Sequence, residues 1–102
     1  MAEIIRGTTP VIQCVLPFNA SEIAEAFLTV HQRGNTVLEK NIDDAVKDGT
    51  MLSFALTQED TIKLDDRAQA EAQVRAKTTG GSALASNIVE ISVRGLLKEG
   101  VI

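Results

Sequence analysis

The sequence predicts an all-β domain, a small antiparallel sandwich with one short helix, and three observations carry that prediction. Ala68, Ala70, Ala72, Val74 and Ala76 fall on one parity, while Gln69, Glu71, Gln73, Arg75 and Lys77 fall on the other. That period of two belongs to a half-buried strand. Weaker alternation recurs along the chain at intervals of roughly ten residues, punctuated by Gly-bearing turns. A helix-start signal occurs at one place, Thr57-Gln58-Glu59-Asp60. The alternative is an α+β domain in which Asp65 to Lys77 is helical. The Ala, Glu, Gln and Arg content of that stretch favours a helix by propensity, and its periodicity opposes one.

Glu3 to Arg6 is a short apolar lead-in ending at Gly7. Thr8 to Leu16 reads as a strand with Pro10, Ile12, Cys14 and Leu16 on one face and Val11, Gln13 and Val15 on the other. Proline is tolerated at a first or edge position, where no ladder donor is needed. After Pro17 to Ala20, Ser21 is placed to cap a short helical turn over Glu22 to Glu25, with a plain loop as the alternative. Ala24 to Gln32 places Ala26, Leu28 and Val30 inward, and Gln32-Arg33-Gly34-Asn35 turns it into Thr36 to Ile42 as a hairpin. Leu38 and Ile42 share a parity there, with Lys40 between them.

Asp43 to Gly49 reads as a polar loop, and Met51 to Leu56 as a strand with Leu52, Phe54 and Leu56 on one face. Thr57 offers an N-cap oxygen to a short helix ending near Leu64, with acids in its first turn. The alternating strand Ala68 to Lys77 follows. Gly80-Gly81 turns it into a return strand from Ser82 to Val93, with Val89, Ile91 and Val93 on one parity. Residues 1–102 thus form a single β-sandwich domain of immunoglobulin-like layout, with Leu52, Phe54 and Leu56 facing the alanine-rich strand.

At 102 residues and 44% hydrophobic content the chain can build one core without staples. That core is aliphatic, because Phe18, Phe27 and Phe54 are the only aromatics. A net charge of -4 repels phosphate backbones and sets nucleic acid aside as a partner. No apolar run approaches the length of a membrane-spanning helix, and Met1 to Arg6 lacks a signal-peptide pattern. The single cysteine forms no internal disulfide and fits a reducing compartment such as the cytoplasm.

Catalytic chemistry finds no foothold. Nucleophilic catalysis needs a base beside its nucleophile, and the lone Cys14 and lone His31 lie on opposite parities of their strands. One histidine and one cysteine do not build a tetrahedral zinc site. The acidic loops Asp43, Asp44 and Asp48, and Asp65-Asp66, lack the ligand spacing of an EF-hand. They leave a calcium- or carbohydrate-binding module as the alternative function. No catalytic, cofactor-binding or metal-binding residue is assigned. Apolar residues at the two ends are a different matter: Ile4 and Ile5, with Leu96, Leu97, Val101 and Ile102, are candidate assembly contacts if they do not pack on the domain itself.

The segments Ile4-Ile5-Arg6-Gly7-Thr8-Thr9-Pro10, Leu56-Thr57-Gln58-Glu59-Asp60-Thr61 and Ala83-Leu84-Ala85-Ser86-Asn87-Ile88 resemble small structural proteins encoded in prophages of Gram-positive bacteria. They are also similar to the amino-terminal domain of phage baseplate upper proteins. The resemblance spans nearly the whole chain, on short motifs of common residues. It implies a non-enzymatic β-sandwich in a phage tail, baseplate or tail-like particle. Its partners would be other phage structural proteins or further copies of itself, with no cofactor and no membrane. It would be synthesised in the host cytoplasm and reside in the virion or particle. No receptor-binding or stalk region follows residue 102, so an adaptor or assembly role is the expectation rather than host recognition.

Overall fold

A computed structural model describes residues 2–102. Alternation at Ala70 to Thr78 does produce a strand, and the same pattern fixes most others: β1 (Ala2–Ile5), β2 (Val11–Val15), β3 (Ile23–Gln32), β4 (Asn35–Asn41), β5 (Ala45–Asp48), β6 (Met51–Ala55), β7 (Ala70–Thr78), β8 (Ala83–Ala85) and β9 (Val89–Arg94). One α-helix, α1 (Gln58–Ile62), joins β6 towards β7. It starts on the predicted cap: Thr57 Oγ1 accepts from Asp60 N at 3.1 Å, and Asp60 Oδ2 accepts from Thr57 N at 2.8 Å. The α+β alternative is set aside by β7.

The strands form two layers. The larger sheet runs β1-β9-β7-β3-β4 with β8 also on β7, and the smaller runs β2-β6-β5. Every pairing is antiparallel except β1 with β9, which is parallel from Ala2↔Ile91 to Ile5↔Arg94. Between the layers, Phe54, Leu28, Leu52, Leu56, Leu64 and Val30 are the largest fully buried apolar side chains. Each is worth about 1.5–3 kcal/mol of burial. Ala70, Ala72 and Ala76 are buried across from them, so small residues on β7 leave room for large ones on β6, as the sequence requires.

Four expectations need correction. The polar loop Asp43 to Gly49 contains β5, preceded by a 3₁₀ turn at Ile42–Asp44; only Ala45 of β5 is half-buried, so the strand has almost no apolar face to read. The turn before β3 is a 3₁₀ turn at Ala20–Glu22, capped by Asn19, whose Oδ1 accepts from Ser21 N at 2.9 Å; Ser21 is not the cap. Ser82 to Val93 is two strands rather than one, because β8 pairs with β7 up to Arg75↔Ala85 and β9 rejoins β7 from Ala72↔Val89 with the register shifted by one residue, while β1 takes its other side. Of Gly80 and Gly81, only Gly81 takes a positive φ, at 92°.

Lys40 resolves an oddity of β4. It points inward beside Leu38, and its Nζ lies 2.7 Å from Asp60 Oδ2 at the start of α1. Gln32, the last inward residue of β3, is buried and bridges to the chain entering β7. Its Nε2 donates to the Asp65 and Ala68 carbonyls at 2.7 and 3.0 Å, and its Oε1 accepts from Asp65 N at 2.8 Å.

Candidate functional site

The two apolar ends meet around one side chain, Arg6. Its backbone N–H continues the β1–β9 ladder to Arg94 O at 2.9 Å. Its guanidinium donates to the carbonyls of Leu64 (Nε, 2.7 Å) and Ile62 (Nη2, 3.0 Å), and to both carboxylate oxygens of Glu99 (Nη1, 2.6 and 2.8 Å). A planar cation thus caps the carbonyl end of α1 and clamps the tail at once. The tail is fixed a second time by Gln58: Oε1 accepts from Ile102 N at 2.8 Å and Nε2 donates to Ile102 O at 3.0 Å. Nothing in the sequence marked Arg6 or Gln58, since their partners lie 93 and 44 residues away.

The six residues flagged as assembly contacts divide. Ile4 is buried in the core, because it is the inward-facing residue of β1 at the edge of the larger sheet; it is a packing residue in this fold. Leu96 is half-buried, with Cδ1 where a side chain on Gly7 would have to go. Ile5, Leu97, Val101 and Ile102 are exposed, Leu97 and Ile102 almost completely. A second apolar surface was not anticipated. Val11, Val15 and Val46 stand 55%, 71% and 64% exposed on the outer face of the small sheet.

The residues considered for chemistry do not assemble. Cys14 is half-buried on the inner side of β2, where burial raises its thiol pKa. His31 lies on the outer side of β3 in the other sheet, with Nε2 3.0 Å from Thr36 Oγ1. In the acidic loops, carboxylates serve the chain itself. Asp44 Oδ2 accepts from Asn41 N at 3.2 Å. Asp65 accepts from Arg67 N and Arg33 Nη1, both at 2.9 Å; these bonds, the Arg67 backbone first, bring its pKa down to about 2. Among the described residues no group of three or more His, Cys, Asp or Glu is placed to hold a metal ion, and no helix is long and apolar enough to cross a membrane.

Two facing sheets, a β2-β6-β5 layer against a layer in which first and last strands pair in parallel, define an immunoglobulin-like β-sandwich. One solved structure supports this layout. A strand-swapped dimer of the mouse leukocyte-associated immunoglobulin-like receptor 1 extracellular domain is similar at TM-score 0.51 and 14% identity, over 90% of this chain and 85% of that one. The Ig-like domain of the same receptor, also a strand-swapped dimer, gives 0.49 and 14% over 89% and 84%. Likeness at this identity concerns the fold alone. The chain has no Trp, no Tyr and a single Cys, so it lacks the buried Trp, inter-sheet disulfide and tyrosine corner of antibody domains. No protein-family model matches the chain, and no curated protein matches its sequence.

Proposed function

We propose that this chain is a non-enzymatic structural module of a phage or prophage tail, baseplate or tail-like particle, working by protein–protein contact. One observation carries the contact reading: the tail held by Arg6 and Gln58 presents Leu97, Val101 and Ile102 to solvent, and Ile5 on β1 is exposed as well. Apolar side chains held in place rather than left to fray lose little further entropy when a partner covers them. The phage setting rests on the resemblance of the three segments named above, and no identified residue cluster speaks for catalysis.

Co-purification with the products of neighbouring genes tests the proposal. The intact chain should carry a structural partner through size exclusion. Deleting residues 96–102, or replacing Arg6 with Ala, should release it while far-UV circular dichroism keeps its β signature. Retention of the partner by both variants would refute the end contact. A homo-oligomer would instead appear as a mass above 10.9 kDa in light scattering of the purified chain, lost in the same variants. The alternative, a calcium- or carbohydrate-binding module, requires a rise in the thermal midpoint with millimolar calcium or with sugar. The engaged carboxylates of Asp44 and Asp65 weigh against the calcium form.

A further inference from the structure

We propose that the free edge of β2 is a strand-addition site that takes one extended, uncharged segment of a partner protein. The two layers are unequal. The small sheet stops at β2, while the large sheet continues on the same flank through β9 and β1. The step leaves an open cleft of about 320 Å³ between Ile12 and Cys14 on one side and Ile4, Val74, Val89 and Ile91 on the other. It is the space that a fourth strand of the small sheet would cover.

The β2 backbone is oriented for that addition. Pairing with β6 follows Ile12↔Phe54 and Cys14↔Leu52, and the ladder continues through Leu56 N to Pro10 O at 2.9 Å and Leu16 N to Thr50 O at 2.8 Å. Even-numbered residues therefore bond to β6. The N–H and C=O groups of Val11, Gln13 and Val15 point to the open edge. An added strand would set alternate side chains over Ile12 and Cys14, and the others beside exposed Val11 and Val15.

Charge says what kind of segment fits. Five strands leave an edge unpaired: β1 carries Glu3, β4 carries Glu39 and Lys40, β5 carries Lys47 and Asp48, and uncharged β8 is only three residues long. Such charges protect edges from pairing. Strand β2 has none, and no charged side chain occurs from Gly7 to Ser21 or from Thr78 to Val89, the two stretches whose Pro10 to Cys14, Ser86 and Val89 line the cleft. Glu3 is the one charged residue in the lining, and Arg94 pairs with it at 3.6 Å. A charged segment would lose solvation here with no counter-charge to meet. A second copy approaching edge-on would meet the overhanging β9 and β1 before its own edge reached β2, whereas a single segment slides in.

This inference uses residues apart from the end patch, so either can fail alone. The test is amide hydrogen exchange by NMR on the ¹⁵N-labelled full chain. Its probe is a synthetic peptide of residues 50–56, acetylated and amidated, an uncharged segment whose sequence already pairs with β2 on the other side. In the free chain Val11, Gln13 and Val15 should exchange fast while Ile12 and Cys14 are protected. About 1 mM peptide should slow those three amides about tenfold, the factor for a dissociation constant near 0.1 mM. A peptide of residues 35–41, bearing Glu39 and Lys40, should not. Gln13→Pro removes an outward N–H and spares the β6 ladder, so it should abolish the effect; Val15→Lys serves if the proline chain does not fold. No slowing with the uncharged peptide, slowing at β4 or β5 instead, or protection that grows with protein concentration without peptide would each overturn the proposal.

Discussion

Lys40 and Asp60 offer the sharpest test of how this sandwich holds its helix. Their Nζ–Oδ2 contact is 2.7 Å, with side chains 18% and 10% exposed, and the same oxygen accepts the Thr57 N–H at 2.8 Å. Lys40→Met keeps the aliphatic stem and leaves Asp60 a mostly buried anion without its cation. Removing one partner of a fully buried pair costs about 3–5 kcal/mol, and partial exposure here reduces that to about 2 kcal/mol. Asp60→Ala also loses the capping bond, adding about 1 kcal/mol. The double variant should show a coupling energy of about 1–2 kcal/mol. Urea unfolding followed by far-UV circular dichroism is the assay, because the chain has neither Trp nor Tyr to report by fluorescence. Burial alone would raise the Asp60 pKa; the hydrogen bonds from Lys40 and Thr57 outweigh it and hold the carboxyl below its ordinary value. A depressed folded pKa gives stability that is present above the unfolded carboxylate pKa and lost as pH falls through the folded one. Lys40→Met should flatten that acid limb. Single variants within about 0.5 kcal/mol of the parent, or a coupling energy of zero, would refute the reasoning.

Three further outcomes follow from the same geometry. Gln32→Ala should destabilise by about 1–2 kcal/mol in urea, since it removes a buried side chain that holds the half-buried Asp65 and Ala68 backbone groups; an unchanged midpoint would show that water replaces it freely. Gly7→Ala should cost about 1–2 kcal/mol, because φ is +75° and a Cβ would sit 2.7 Å from Leu96 Cδ1; a neutral result would mean that the tail yields. In a ¹³C NMR titration the Asp65 carboxyl should titrate at about 2, so its contribution to stability is complete above the ordinary carboxylate pKa and is lost as pH falls from there through about 2. A midpoint at the ordinary value would remove the Arg67 and Arg33 bonds from the account.

What the sequence revealed tracks how local each determinant is. Alternation at Ala70 to Ala76, the facing Leu52, Phe54 and Leu56, the Thr57 cap and the Arg33-Gly34 turn each depend on neighbours a few residues away. Strand β5 stayed hidden because Val46, Lys47 and Asp48 are exposed and leave no period to read. Lys40 lies on the parity of Leu38 and Ile42, and its counter-charge comes from Asp60, 20 residues on in sequence, where no local pattern points. The split between β8 and β9 follows from a one-residue register shift against β7, which no local pattern announces. Of the residues named at the ends, composition marked them as apolar, but which are exposed and that Ile4 is buried depend on the fold. The Arg6 clamp and the open β2 edge were not legible, because which strand ends a sheet is decided by topology and no single segment encodes it.

The parallel pairing of β1 with β9 has a mechanical side. Both strands run the same way, so a pull that enters at Ala2 and leaves at Arg94 slides one strand along the other rather than peeling it away. The ladder bonds from Ala2↔Ile91 to Ile5↔Arg94 then share the load in shear instead of failing one after another. Tension carried along the chain therefore reaches its firmest seam first, and the layers behind it feel little until that seam gives.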